Sequence, residues 1–334
     1  TIVKTILRRL TIFTMSYRML LRNGCEIMEK NAKIYVAGHT GLVGNAIVRE
    51  LKDSGYENLI LRTHKELDLT RQAEVEAFFV QENPEYVFIA AGLVGGIKAN
   101  SDAPADFYYE NMQIANNLIW SAHKIGIKKL LYLASACMYP KNCEQPMKET
   151  SILSGYPEVT NEGYALAKIG GVRLCSYLYK QYGDDFISAI PANAYGLGDC
   201  FDPDKSHVIP ALLLKYHKAK LRGEKQVVLW GSGKAKREFI NTIDIAKASI
   251  FLMNYYSDEK TINIGTGEEI SIMELSQMIK RIVGFEGDIV CDLTKPDGMP
   301  RRILDSSEIC KMGWFPKVSL NDGLTELYDA YLLS

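Results

Sequence analysis

From residue 32 onward, short apolar runs alternate with longer stretches of helical spacing. AKIYVAG (32–38) predicts a buried strand, and GLVGNAIVRELKDSG after it predicts a helix closed by Gly55. NLILRT and YVFIAAG read as further strands. Between them, RQAEVEAFFVQEN places Val75, Phe78 and Phe79 on one helical face. FYYENMQIANNLIWSAHKIG predicts a long helix and KKLLYLAS a fourth strand. Repeated strand–helix–strand units predict an α/β fold, a doubly wound parallel sheet with helices on both faces.

Past the fourth strand come a loop holding Pro140, Pro146 and Pro157, a helix from about Tyr164 to Tyr182, and a strand, FISAIPAN. After Asn193 the texture becomes loopy (YGLGDCFDPDKSH), followed by a helix near 209–222 and a strand, VVLWGSG. REFINTIDIAKASIFLMNYY and TINIGTG return to core-like patterning, and the remainder suggests a smaller lobe. The expected organisation is therefore interleaved. One domain takes 31–193 and 237–267, and a smaller α/β substrate lobe takes 194–236 and 268–334.

Composition changes this picture little: 334 residues, 47% hydrophobic and 24% charged, suffice for a sizeable core. A formal net charge of −1 supplies no general field for nucleic acid or anionic membrane. No apolar run approaches the ~20 residues of a membrane span. Seven cysteines (25, 137, 143, 175, 200, 291 and 310), scattered and without a C-x-x-C pair, argue against a disulfide framework or a metal site. They point to a reducing, cytoplasmic setting. Residues 1–30 are basic and acid-poor, with Glu26 as the first acidic residue, and read as a leader outside the fold. Met28 stands where a native start would sit.

GHTGLVG (38–44) follows the first strand and opens the first helix. Gly38 permits a tight turn, Gly41 lets backbone approach a pyrophosphate, and Gly44 allows close helix–strand packing. The helix N-terminus then meets the phosphates, so a dinucleotide is expected. Arg62, His64 and Lys65 precede Glu66 at the end of the second strand, and cations there suit a 2′-phosphate, favouring NADP(H). Asp68 can reach the adenine or cap the next helix. In NEGYALAKIGG, Tyr164 and Lys168 share a helical face, and Ser135 ends the fourth strand. An ammonium near the phenol favours phenolate, and the tyrosine can then exchange a proton with a carbinol oxygen as hydride moves.

Glycine loop, strand-end serine and Y-x-x-x-K helix together resemble the extended short-chain dehydrogenase/reductases. LVGGIKAN, SACMYPK, QPMKE, SHVIPALL, WGSGKAKREF and KPDGMPRR narrow the resemblance to the GDP-L-fucose synthase family within them. It implies a Rossmann-type nucleotide domain, a GDP-sugar substrate, NADP(H) and a homodimer. The family inverts C3 and C5 of GDP-4-keto-6-deoxy-D-mannose and then reduces C4. The resemblance makes Cys137 the base and His207 the acid of the inversions, with cationic neighbours expected to lower the thiol pKa. Tyr164, Lys168 and Ser135 carry the reduction. It implies cofactor contacts at Gly38, His39, Thr40, Gly41, Leu42, Val43, Gly44, Arg62, His64, Asp68 and Leu69. Others fall at Leu133, Ala134, Ser135, Ala136, Lys168, Pro191, Ala192, Asn193, Ala194 and His207. Substrate contacts are implied at Lys215, Trp230, Arg237, Asp297 and Arg302. The chain departs from the family at Lys215, Arg302 and Ala136, and at Thr40 and His64, where arginines are expected near the cofactor phosphate. Two other readings stay open: another nucleotide-sugar 4-epimerase or dehydratase, and a non-catalytic NADP-sensing protein of the same fold. A dehydratase usually carries an Asp-Glu pair where Ala136 and Cys137 stand, and sensors usually lack the Tyr–Lys pair.

Overall fold

A computed structural model of the chain describes residues 27–202, 206–295, 297 and 299–333. The expected leader lies outside these up to residue 26. In chain order the first half comprises β1 (Ile34–Ala37), α1 (Leu42–Asp53), β2 (Leu59–Ile60), α2 (Gln72–Glu82), β3 (Tyr86–Ile89), α3 (Ile97–Asp102), α4 (Pro104–Ile125), β4 (Lys129–Leu133), α5 (Glu162–Tyr182) and β5 (Phe186–Pro191). Then follow β6 (Asn193–Tyr195), α6 (Val208–Leu221), β7 (Gln226–Trp230), β8 (Lys236–Arg237), β9 (Phe239–Asn241), α7 (Thr242–Tyr255) and β10 (Ile262–Ile264). The chain closes with β11 (Ile270–Ser271), α8 (Ile272–Val283), β12 (Asp288–Asp292), β13 (Arg301–Arg302), α9 (Ser307–Lys311) and α10 (Leu320–Leu332).

Six strands form the main sheet in the order β10-β5-β4-β3-β1-β2, every pair parallel. Burial on both faces explains the unbroken apolar runs: β1, β3 and β4 are buried at every residue. The strand order reverses between β1 and β3, which is where an open sheet of this kind holds its ligand. A second apolar cluster, built from α6, β7, α8 and α10, contains Leu213, Tyr216, Leu229, Ile279 and Leu324. This cluster is separate from that of the main sheet. No helix among the described residues is long and apolar enough to cross a membrane.

Three details differ from the pattern in the sequence. Leu304, Ile309 and Trp314 pack into the main core rather than the lobe. The parallel bridge between Met147 and Leu304 ties that segment to the loop after β4, a pairing 157 residues apart that periodicity cannot reveal. Met28 is buried, and its backbone N–H donates to Asn254 Oδ1, so the packed chain reaches back past residue 31. NLILRT yields a two-residue β2, because Arg62 turns away to pair with Glu82 at 2.6 Å.

Candidate active site

Gly38 adopts φ +82°, and a Cβ there would lie 2.6 Å from the backbone nitrogen of Ala91, at the end of β3. A Cβ on Gly44 would lie 2.1 Å from the Gly38 carbonyl oxygen. These two glycines let the loop fold onto itself and α1 approach β1. Gly41 is exposed, caps α1 without a side-chain hydrogen bond, and leaves the first N–H groups of the helix pointing outward. Beside them, His39 Nδ1 is buried without a partner. An open helix N-terminus over a glycine cradle fits a dinucleotide pyrophosphate. Thr40 is exposed, Leu42 and Val43 are half-buried, and Leu133, Ala134 and Ala136 are buried at the end of β4. Pro191 ends β5, Ala192 follows it, Asn193 and Ala194 open β6, and Asn193 Nδ2 donates to the Glu238 carbonyl at 2.7 Å.

The residues expected at the adenosine end are partly engaged. Arg62 pairs with Glu82 and also donates to the Leu61 carbonyl. His64 and Lys65 are exposed. Asp68 accepts from the backbone N–H and the hydroxyl of Thr70, which depresses its pKa. Arg71, not Asp68, occupies the N-cap of α2. Leu69 is half-buried, and its carbonyl accepts from Asn117.

At the carboxyl end of β4 the chain enters one 3₁₀ turn, Ala136–Met138, capped by Ser135, whose hydroxyl accepts the Cys137 N–H at 3.4 Å. The same hydroxyl favours the deprotonated forms of the Tyr164 phenol and the Cys137 thiol. Tyr164 stands on the first turn of α5, its ring edge-on to Phe107 at 6.4 Å. One turn on, Lys168 is 4% exposed and donates to the Leu133 carbonyl at 3.1 Å. Its ammonium lies 5.8 Å from the Tyr164 ring centroid and 4.9 Å from that of Tyr132. Cys137 and Lys168, both buried, and Ser135 and Tyr164, both half-buried, thus form one cluster at the strand ends.

Burial sets the charge states. It lowers the Lys168 pKa to about 8. It raises the Tyr164 phenol well above its ordinary range, with the Cys137 thiol adding to the rise and the Ser135 hydrogen bond opposing it. It also raises the Cys137 thiol, against the Ser135 hydrogen bond and the cations Arg302 and Lys168. The expected downward shifts of thiol and phenol are therefore corrected: desolvation outweighs the cations at Cys137, and no cation is among the influences on Tyr164. The Tyr164 phenol therefore stays protonated through the neutral range.

From the lobe, β8 and β13 run parallel with Arg237 opposite Arg302. Arg237 donates to the Lys236 and Met299 carbonyls at 2.7 Å, and Arg302 to the Met299 sulfur at 3.0 Å. Arg302 Nε is buried without a partner. Neither guanidinium has a carboxylate within ion-pair distance among the described residues. Both have pKa values lowered by burial; Arg237 also feels the charge of Arg302, and Arg302 feels Cys137 and, more weakly, Glu158. Two adjacent, half-buried and unneutralised guanidiniums suit a diphosphate. Lys215 donates to the Val228 carbonyl. Trp230 is 68% exposed, with the Lys295 ammonium 5.6 Å from its ring. Asp297 accepts from the Ser232 N–H and hydroxyl, fixing the loop after β7. His207 is the exposed N-cap residue of α6, electrostatically coupled to Asp199. Residues 203–205, just before it, lie outside the described set.

Two residues at the site carried no motif. Tyr132, on β4, presents its ring to Lys168. Glu238, 1% exposed between Arg237 and the buried strand β9, was visible in the sequence as an acid heading an apolar run. No group of three or more potential metal ligands occurs among the described residues.

A dinucleotide fold whose strand ends gather a serine, a tyrosine and a lysine defines a nicotinamide-dependent enzyme of carbonyl and carbinol chemistry. The chain belongs to the NAD dependent epimerase/dehydratase family, whose model matches residues 34–265. It is 53% identical over 307 residues to GDP-L-fucose synthase 1 of Arabidopsis thaliana, covering 92% of this chain and 95% of that protein. With the GDP-L-fucose synthase of Escherichia coli K12 it shares 45% identity, covering 90% and 96%. The crystal structure of a GDP-L-fucose synthetase from Naegleria fowleri bound to NADP superposes with a TM-score of 0.85 at 26% identity, covering 93% of this chain and 97% of that one.

Proposed function

We propose that this enzyme converts GDP-4-keto-6-deoxy-D-mannose to GDP-L-fucose by inverting C3 and C5 and then reducing C4 with NADPH. The observation that carries this reading is the Cys137 thiol, tied through Ser135 to the Tyr164–Lys168 pair and electrostatically coupled to Arg302. A simple reductase needs no thiol there, and an elimination needs a carboxylic acid where Ala136 and Cys137 stand. The relatives' names support the GDP-sugar substrate and the neighbour's NADP supports the cofactor.

In this mechanism Arg237 and Arg302 hold the diphosphate. The Cys137 thiolate removes the proton from C3, and later from C5, while the C4 oxygen of the resulting enolate accepts hydrogen bonds from Ser135 and Tyr164. His207 returns a proton to the opposite face of the ring. NADPH, when bound, supplies the hydride for C4. Tyr164, kept protonated by burial, donates its proton to the C4 oxygen, and the Lys168 ammonium stabilises the phenolate left behind. The glycine loop at Gly38, Gly41 and Gly44 seats the pyrophosphate.

Incubation with GDP-4-keto-6-deoxy-D-mannose and NADPH, followed by product identification, tests the reading directly. Cys137→Ala should abolish deuterium uptake from solvent at C3 and C5 while NADPH binding persists. Uptake at the wild-type rate would remove Cys137 from the base role.

Assembly and location belong to the same proposal. The packed pair α4 and α5 exposes Tyr108, Tyr109, Trp120, Leu166 and Tyr177, a set of large apolar side chains that suits a twofold helical interface. Light scattering at twice 37.5 kDa supports the dimer, and a single-chain mass opposes it. The described cysteines are all free thiols, which agrees with a cytoplasmic enzyme.

A further inference from the structure

We propose that Tyr132 is a positioning residue for Lys168: its ring face holds the buried ammonium over the reaction centre and keeps it protonated through the neutral range. This rests on the role given above to Lys168.

Lys168 has lost its water. Its one hydrogen bond among the described residues goes to the Leu133 carbonyl, and burial opposes its charge. An ammonium so placed needs further electron density nearby. The groups that face it are few. From β4 and the turn after it come the Tyr132 ring, the Leu133 carbonyl and the Cys137 thiol. From its own helix comes the Tyr164 ring. Across Gly92 lies Asn111 of α4: a Cβ on Gly92 would stand 3.5 Å from Lys168 Nζ and 2.7 Å from Asn111 Oδ1. No carboxylate is among the influences on this ammonium.

Tyr132 is the nearer of the two rings, 4.9 Å from nitrogen to centroid against 5.8 Å for Tyr164. Both distances lie inside the ~6 Å range of cation–π attraction, which strengthens where water is excluded. The Tyr132 ring is also the less free to move. It is 1% exposed, and Gly171 packs against its hydroxyl end so closely that a Cβ there would lie 2.5 Å from the ring carbon bearing the hydroxyl. Gly171 is three residues beyond Lys168 on α5, so one helix both supplies the ammonium and confines the hydroxyl end of the ring that receives it. Tyr164 has its own work as proton donor, whereas Tyr132 keeps its π-face toward the cation throughout.

The test compares wild type with Tyr132→Phe and Tyr132→Leu, with Tyr132→Met as substitute should the leucine variant fail to fold. Carbon-13 labelling of lysine Cε, with the signal assigned by Lys168→Met, reads the titration midpoint of Lys168 without substrate. The ring-bearing Tyr132→Phe should keep the wild-type midpoint, near 8. Tyr132→Leu should move it down by about one pH unit, the size of shift a desolvated cation–π contact supports. The alkaline limb of kcat for keto-sugar reduction should move with it. An unchanged midpoint in the leucine variant, or an equal fall in both variants, overturns the proposal. Should the wild type fail to reduce the keto sugar, the function proposed above falls, while the carbon-13 titration still decides the role of Tyr132.

Discussion

Cys137 and Lys168 share one desolvated space, yet the proposed mechanism asks opposite charge states of them. The thiol must lose its proton to act as a base, and burial makes that harder. The lysine must keep its proton to stabilise a phenolate, and burial makes that harder too, with the midpoint near 8. The two half-reactions should therefore respond to pH in opposite directions. Because the thiol pKa is raised, the thiolate is a minor species at neutrality and grows about tenfold per pH unit. Deuterium exchange at C3 and C5 without NADPH should climb steadily from about pH 6.5 to 8.5. Consumption of NADPH by pre-epimerised keto sugar should decline above about 8, as Lys168 deprotonates. Two profiles that fall together on the alkaline side would contradict this assignment of charge.

At the scale of elements, the placement of the two guanidiniums depends on one buried acid. Glu238 accepts from the N–H groups of Thr266 and Gly267 at 2.6 and 2.8 Å through one oxygen, and from the Leu304 N–H at 2.8 Å through the other. It thereby joins the stretch from β8 to β9, the loop after β10 and the segment after β13. Arg237 precedes it, and Arg302 lies two residues before Leu304. Glu238→Gln would turn an amide NH₂ toward N–H donors. The expected loss is ~2–4 kcal/mol of unfolding free energy, read from urea melts, because a buried group loses its partners. KM for the GDP-sugar should rise more than kcat falls. A variant of unchanged stability would show the clamp to be dispensable. The sequence displayed the alternation of strands and helices, the glycine loop and the Tyr–Lys spacing, because each is local and periodic. It could not display this clamp, the return of Leu304 and Trp314 to the main core, or the capture of Arg62 by Glu82. Those depend on contacts between residues far apart along the chain. It also misjudged the direction of the thiol and phenol shifts, since neighbouring charge can be read from a motif but depth of burial cannot.

The whole molecule has two apolar cores, and the site draws on elements from each. The main sheet supplies the glycine loop, Ser135, Cys137, Tyr164 and Lys168, while the β8–β13 pair supplies Arg237 and Arg302. In the proposed reading, cofactor and substrate anchors are carried by different elements, so the binding of each should be separable. At a hundred times the dissociation constant, a ligand adds about 2.7 kcal/mol to stability. GDP at that concentration should raise the melting temperature of the wild type, and NADP should do so independently. Each charge-assisted hydrogen bond contributes roughly 1.5–3 kcal/mol. The double variant Arg237→Gln, Arg302→Gln should therefore weaken GDP by at least about a hundredfold, leaving a gain of at most about 0.4 kcal/mol at the same GDP concentration. The stabilisation by NADP should remain at its wild-type value. An intact GDP response would move the diphosphate away from this arginine pair. Loss of both responses would mean that the pair supports the fold rather than the ligand.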